Sequence, residues 1–347
     1  MVRLFLTKEE FPPNTASART IDNVRTIARE LGFREVRTTG NILRQILNLL
    51  RFVFRKGIVL LVYPKFISPT HYKYLRLRLL VHRLLNVRKK VIYYVPDLPV
   101  EQAKSLNLPL KENVDSFEKR ILDQADYLLV FDSAMQDTLT EKHGILESKF
   151  VYFEMLDYII ENPPKPTAKD TKNGVVIVFA GSLKRHAMEK SIAELPKGVD
   201  VAINYHFFGP NGDWTDGFRS DLIYHGSRTF FEIVSEVKNY HFGLILASLS
   251  EKMTRYMELT PTNRFSLYMA SGVPVIVPRS YRYMARLVDR YNVGLIFDKM
   301  DELPDLIAKG IESYDDFIPG IEKLQKRVTT GYHLQTSLSK CLEEEKG

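Results

Sequence analysis

The chain has a single cysteine, Cys341, so no internal disulfide can form, and a protein of 347 residues that uses none fits a reducing compartment. The expected location is the cytoplasm. There is no uninterrupted apolar run of the roughly 18 to 20 residues that a membrane-spanning helix needs. The best candidate, residues 42 to 54, is broken by Arg44, Gln45, Asn48 and Arg51. The apolar opening at residues 2 to 6 is too short for a secretory signal; it reads as a first strand ending at Thr7, and no export is expected. Metal ligands are also sparse. Eight histidines are dispersed without a ligand-like pair, and one cysteine cannot build a zinc site. No Asp-x-Asp occurs in a suitable context, and Asp315-Asp316 reads as a solvated helix end, so neither a metal nor another cofactor is expected. A P-loop, a GxGxxG turn and a serine nucleophile elbow are absent too, which removes the kinase, nicotinamide and hydrolase readings. No internal repeat or low-complexity tract is present.

What is there reads as a globular α/β protein. The length implies about two domains, and the composition, 45% hydrophobic and 26% charged, is that of packed cores. Strand-like runs at residues 2 to 6, 57 to 64, 90 to 96 and 126 to 131 alternate with helical patterns at 15 to 31, 41 to 55, 70 to 86 and 114 to 124. The same rhythm restarts at 175 to 181 and continues at 201 to 209, 241 to 247, 273 to 278 and 293 to 297. Between the two halves, residues 161 to 174 are rich in Pro and Lys and read as a linker. The expected organisation is a Rossmann-like domain over 1 to 160, the linker, a second Rossmann-like domain over 175 to 325, and a C-terminal helix over 326 to 347 that packs back towards the first domain. Ligands of such parallel sheets bind beyond the carboxyl ends of the strands, so the chemistry belongs in the turns that follow them.

Two turns carry it. Phe179-Ala180-Gly181-Ser182-Leu183-Lys184-Arg185 runs a buried strand into a Gly-Ser turn followed by two cations. The glycine permits close approach, free amides and the Ser182 hydroxyl can donate to phosphate oxygens, and Arg185 can grip a diphosphate. A tight turn with solvated basic residues is the plainer reading, and the motif alone leaves both open. In the second turn, Thr260 suits an N-cap and Pro261 a first helical position, so a helix is expected to start there and to end at Gly272. Its amides and positive dipole end would face an anion, as would Arg264 in the first turn, unless Arg264 points to solvent.

FAGSL followed by a basic residue, together with a capped helix running into Leu267-Tyr268-Met269-Ala270-Ser271-Gly272-Val273-Pro274-Val275-Ile276-Val277, resembles the bacterial glucosyltransferases that extend the glycans of serine-rich repeat adhesins. It also resembles the β-1,6-galactofuranosyltransferases. The likeness extends through Gly226, a helix at 228 to 238, HFGLILA, VGLIF and Gly331-Tyr332, covering most of 175 to 335. This resemblance implies the GT-B fold and a UDP-sugar bound without a structural metal. It also implies that Arg185 holds the diphosphate; Gly181, Ser182 and Leu183 of the same turn are expected to bind the nucleotide sugar. Thr262, Asn263 and Arg264 would line the phosphate and ribose site, with Tyr256 beside the donor; Thr260 and Pro261, at the expected helix start, are also expected to bind the nucleotide sugar. Asn14 and Thr15, after the first strand, would approach the sugar from the other domain. Two departures stand out. Glu258 has Ser266 eight positions on, where retaining GT-B enzymes carry a second glutamate, and the adhesin-modifying relatives have lysine where Arg264 stands.

An inverting mechanism, as in the resembled family, needs a base from the first domain. Asp97, in the turn after the strand VIYYVP, is the first candidate and His71 the second, although Asp97 before Leu98-Pro99 also suits an ordinary turn. Residues 34 to 90 hold 14 Lys plus Arg against one acid, Glu35, in a chain whose net charge is +7. Arg44, Asn48, Arg51 and Arg55 form a stripe on one helix, and Lys73, Arg76, Arg78 and Arg83 lie on the next. This face suits an anionic membrane surface beside a lipid-linked acceptor, peripheral to the inner leaflet. The acceptor is a glycan on protein or lipid. A catalytically silent UDP-sugar-binding partner subunit, a nucleotide-sugar epimerase and a homo-oligomer stay open. Nucleic acid is disfavoured, since no binding motif accompanies the positive charge.

Overall fold

The computed structural model describes residues 2–7, 16–37, 57–63, 89–110, 112–172, 174–198, 202–246 and 251–343. They fall into two units, one of residues 1–156 with 333–347 and one of residues 157–332.

The first unit is built on a parallel six-stranded sheet of order β2-β1-β3-β4-β5-β6. Its strands are β1 (Val2–Thr7), β2 (Arg34–Arg37), β3 (Gly57–Val62), β4 (Lys89–Tyr94), β5 (Tyr127–Val130) and β6 (Phe150–Tyr152). β3 and β5 are continuous apolar runs, GIVLLV and YLLV, as suits strands covered on both faces. The described helices are α1 (Ala16–Glu30), α2 (Pro99–Ser105), α3 (Val114–Leu122) and α4 (Ser133–His143). α4 starts where Asp132 accepts the amides of Ala134 and Met135 at 3.0 and 3.3 Å, and it ends at Gly144 in the left-handed region. The helices expected over 41 to 55 and 70 to 86 lie outside the described residues, as do Asn14, Thr15, His71 and most of the basic segment.

The second unit has its own parallel sheet, order β12-β11-β10-β7-β8-β9. Its strands are β7 (Val175–Ala180), β8 (Ile203–Phe208), β9 (Leu222–Tyr224), β10 (Phe242–Leu244), β11 (Val275–Pro278) and β12 (Gly294–Phe297). The helices that follow are α5 (Arg185–Ala193), α6 (Phe230–Val237), α7 (Glu251–Met257), α8 (Asn263–Ala270), α9 (Arg282–Tyr291), α10 (Leu303–Glu312) and α11 (Tyr314–Thr330). α6 opens on a reciprocal cap between Thr229 and Glu232.

Two boundaries differ from those read in the sequence. Residues 161 to 174 lie against the second unit: Gln325 Nε2 donates to the Pro164 carbonyl at 2.8 Å, and His241 Nε2 approaches the Asp170 carbonyl at 3.2 Å. The C-terminal segment is two helices, because Gly331 ends α11 at φ +79° before α12 (Tyr332–Glu343) begins. From His333 onwards the chain belongs to the first unit, where the Ser337 hydroxyl donates to the Tyr152 carbonyl at 2.9 Å. Charge divides along the same line. The first unit holds 27 Lys plus Arg against 20 Asp plus Glu, and the second holds 22 against 22. No helix among the described residues is long and apolar enough to cross a membrane.

The first unit buries an ionic centre. Glu118, 1% exposed, accepts Tyr63 Oη at 3.0 Å and Lys142 Nζ at 2.7 Å, and lies 2.8 Å from His143 Nε2. Lys142 also reaches Glu101 at 2.6 Å and Asp115 at 2.9 Å, so one ammonium bonds all three clustered carboxylates. Burial pushes the Glu118 carboxyl up, but His143 and Lys142 outweigh it and hold the group below its ordinary range. A carboxylate depressed in the folded state contributes stability at neutral pH that is lost as pH falls through its folded pKa. Replacing Lys142 with Met strands a buried charge, and is expected to cost about 3 to 5 kcal/mol and to move acid unfolding to higher pH. Thermal and acid unfolding followed by circular dichroism check this, and an unchanged midpoint at neutral pH would contradict it.

Candidate donor site at the switch point of the second sheet

The order of the second sheet reverses between β7 and β10: the chain builds outward from β7 through β8 and β9 on one side, and from β10 through β11 and β12 on the other. Ligands of open parallel sheets bind at such a reversal. β10 is registered with β7 only at Phe242–Ile177 and Gly243–Val178, after which the two strand ends part. The ring of Tyr268 on α8 lies at the base of the gap, over Gly243. A Cβ on Gly243 would come within 2.4 Å of that ring, so glycine is required there for space.

Above Tyr268 lies Arg264, one helical turn earlier on α8. Its guanidinium stands 4.5 Å from the centre of the Phe179 ring on β7, and Nη1 donates to the Leu246 carbonyl just beyond β10 at 2.8 Å. Arg264 Cδ lies 3.4 Å from where a Gly181 side chain would begin, so this one residue joins the two turns singled out in the sequence. Protein atoms crowd around the guanidinium, yet the residue keeps some accessible surface, as expected of a group on the floor of an open gap. Burial pulls its pKa below the usual arginine range; it stays protonated, and among the described residues no carboxylate pairs with it. The arginine is not solvent-pointing.

α8 starts later than the sequence suggests. Residues 260 to 262 lie outside the helix, and Thr262, at φ −79° and ψ 150°, takes the N-cap position without a side-chain cap bond. Thr260 and Pro261 are buried, and Asn263 opens the helix half-exposed. Thr262 Oγ1 points at Met284 Sδ, 4.0 Å away. Tyr256, on α7, is also buried.

The Gly-Ser turn is less open than expected. The Gly181 amide donates to the Phe208 carbonyl at 2.8 Å and the Leu183 amide to the Pro210 carbonyl at 3.0 Å, so these two donors are already used by the backbone. The turn closes against Gly209, whose φ is +140° and whose Cβ would overlap the Gly181 carbonyl at 1.9 Å. Leu183 is fully buried and its carbonyl accepts the Trp214 indole N–H at 2.6 Å, so its side chain packs in the core. Ser182 remains exposed. Arg185 is exposed on α5, with Nε and Nη2 at 3.0 and 2.7 Å from one Glu189 oxygen and the guanidinium 5.8 Å from the Trp214 ring.

In the first unit, Asp97 follows β4 half-buried, and Oδ1 accepts the Leu98 amide at 2.9 Å. The histidines are not all dispersed. β8 and the residue after β9 bring His206 Nδ1 to 2.8 Å from His225 Nε2, with Tyr240 Oη at 3.2 Å. Burial and the neighbouring His225 pull His206 down to about 4, so the pair is neutral at physiological pH and shares a hydrogen bond. Nineteen residues separate the two in the chain, and only the pairing of adjacent parallel strands brings them together.

Residues 177–341 match the family described as glucosyltransferase 3-like, C-terminal domain. Over 257 residues the chain is 23% identical to Glucosyltransferase 3 of Streptococcus gordonii, across 73% of this chain and 70% of that protein. Among solved structures it resembles the lipopolysaccharide outer core galactosyltransferase WaaB in its apo form, with TM-score 0.64 and 14% identity over 99% of this chain and 100% of that one. It also resembles a sucrose-phosphate synthase from Thermosynechococcus elongatus, with TM-score 0.61 and 10% identity over 99% and 100%. At such identities the structural likeness is one of fold. The chain has the GT-B fold, and its residues 177–341 match the glucosyltransferase 3-like C-terminal domain, a glycosyltransferase match carried by the sequence.

Proposed function

We propose that this protein is an inverting, metal-independent glycosyltransferase that moves a hexose from a UDP-sugar to a glycan acceptor on a protein or lipid. The observation that carries the donor assignment is Arg264: a largely enclosed cation without a carboxylate partner among the described residues, at the point where the sheet order reverses. A cation in the first turn of a helix opposes the dipole, and an anion offsets both the dipole and the charge. A nucleotide diphosphate supplies that anion, and arginine can bind it bidentately. The names of Glucosyltransferase 3 and of the galactosyltransferase WaaB favour a hexose as the group transferred.

In this reading Arg264, Ser182 and the start of α8 at Asn263 bear the charge that develops on the leaving UDP. Arg185 adds a second cation once the phosphate displaces Glu189. Asp97 is the base that takes the acceptor proton, with His71 as its substitute. The basic segment from 34 to 90 docks on an anionic bilayer, next to a lipid-linked acceptor.

Three measurements test these assignments. Titration of UDP by calorimetry is expected to lose about 30- to 1000-fold in affinity for Arg264→Gln, a cost of roughly 2 to 4 kcal/mol, and to be unaffected by EDTA. Arg185→Ala should cost less, about tenfold at most, because its side chain is solvated. Unchanged affinity in Arg264→Gln, or loss of binding on chelation alone, overturns the donor site. Asp97→Asn should leave UDP-sugar affinity intact while turnover drops at least about a hundredfold; near-normal turnover removes Asp97 as the base. The same assay separates an enzyme from a silent subunit, which shows no transfer in any variant. Sedimentation with vesicles containing phosphatidylserine should capture the protein at low salt and release it as the Debye length shortens, and capture should vanish when Arg51, Arg55 and Lys56 become Glu. Failure to sediment at low salt rejects membrane docking.

A further inference from the structure

Beyond Gly243, β10 keeps its pairing with β11, since the Ile245 amide still reaches the Ile276 carbonyl at 3.0 Å. β7 likewise keeps its pairing with β8 as far as Ala180–Phe208. The ladder therefore opens on one side only, between β7 and β10. Opening a parallel ladder inside a core leaves backbone groups on both strands without partners, and each costs free energy unless another group satisfies it.

One hydroxyl meets them. Tyr268 Oη accepts the Ala180 amide at 3.1 Å and lies 3.2 Å from the Val178 carbonyl and 3.0 Å from the Leu244 carbonyl, so its single proton is shared between two acceptors. The residue is fully buried, and its ring is seated where Gly243 leaves room. Phe179, which carries the Arg264 guanidinium, lies between Val178 and Ala180; Leu246, which accepts the Arg264 proton, lies two residues beyond Leu244. The hydroxyl thus spans the foot of the gap, and Arg264 spans its mouth from the same helix.

We propose that Tyr268 is a positioning residue for the donor reaction: its hydroxyl, by taking over the backbone bonds between β7 and β10, fixes the separation at which Arg264 meets a nucleotide phosphate. It touches no substrate and acts through Arg264. The proposal rests on the reading that a nucleotide diphosphate binds at Arg264. Removing the hydroxyl while keeping the ring leaves Val178, Ala180 and Leu244 to close on one another or to admit water, and either change shifts the Phe179 and Leu246 supports together.

The test is a double-mutant cycle in the full-length protein, with UDP affinity read by calorimetry. Tyr268→Phe is expected to weaken UDP about tenfold and Arg264→Gln at least about 30-fold, while the double variant should be no weaker than Arg264→Gln alone. A general loss of stability would instead add its effect in both backgrounds. In turnover, Tyr268→Phe should raise the donor KM and leave the acceptor KM unchanged. Additive losses, or normal affinity in Tyr268→Phe alongside weakened Arg264→Gln, overturn the positioning role and leave the donor site standing. No effect of Arg264→Gln overturns the donor site itself. Should Tyr268→Phe fail to fold, 4-aminophenylalanine in place of Tyr268 offers N–H donors to both carbonyls, and UDP affinity within about threefold of the parent is expected; affinity as low as in Arg264→Gln overturns the proposal.

Discussion

The second unit turns on a missing piece of β-ladder. Parallel strands that are covered on both faces normally satisfy every backbone group by pairing, and departure from that rule in the middle of a sheet needs compensation. Here α8 supplies it, with a tyrosine hydroxyl below and a guanidinium above, while Gly243 gives up its side chain to admit the ring. The helix that follows the sequence Thr260-Pro261-Thr262 is therefore a wedge as much as a cover. It begins at Asn263, which leaves Arg264 in the first turn.

Much of the architecture was legible because parallel strands announce themselves as apolar runs. β1, β3, β4, β5, β7, β8, β10, β11 and β12 were all found in the sequence in this way. β2, with the sequence REVR, and the three-residue β6 and β9 gave no such signal, since charged or very short strands carry too few apolar positions. α1 and α3 were read within two residues of their ends. The domain boundary was misread for a different reason. Pro and Lys enrichment marks an extended segment but not the surface that holds it, and here that surface is α11 and the strand-end residue His241.

The site was legible by residue type and less so by role. Gly181 and Arg264 stood out in two separate turns, and the structure brings those turns within contact range of one another. The turn amides looked free because sequence does not reveal which carbonyls, Phe208 and Pro210, will come to meet them. The Leu183 side chain is buried, with Gly212 packed against it and the Trp214 indole bonded to its carbonyl. Tyr268 was visible as one apolar residue in a helix; its importance depends on the divergence of two strands that no local pattern encodes.

The partition of charge has an electrostatic consequence. The second unit carries 22 cationic and 22 anionic side chains, so it adds no net formal charge to the molecule. The excess of seven cations lies entirely in the first unit, so that unit supplies the net charge through which the molecule is oriented near a polyanion. Exchanging that excess for neutral residues would remove the molecule's net charge and leave the balance of the second unit untouched.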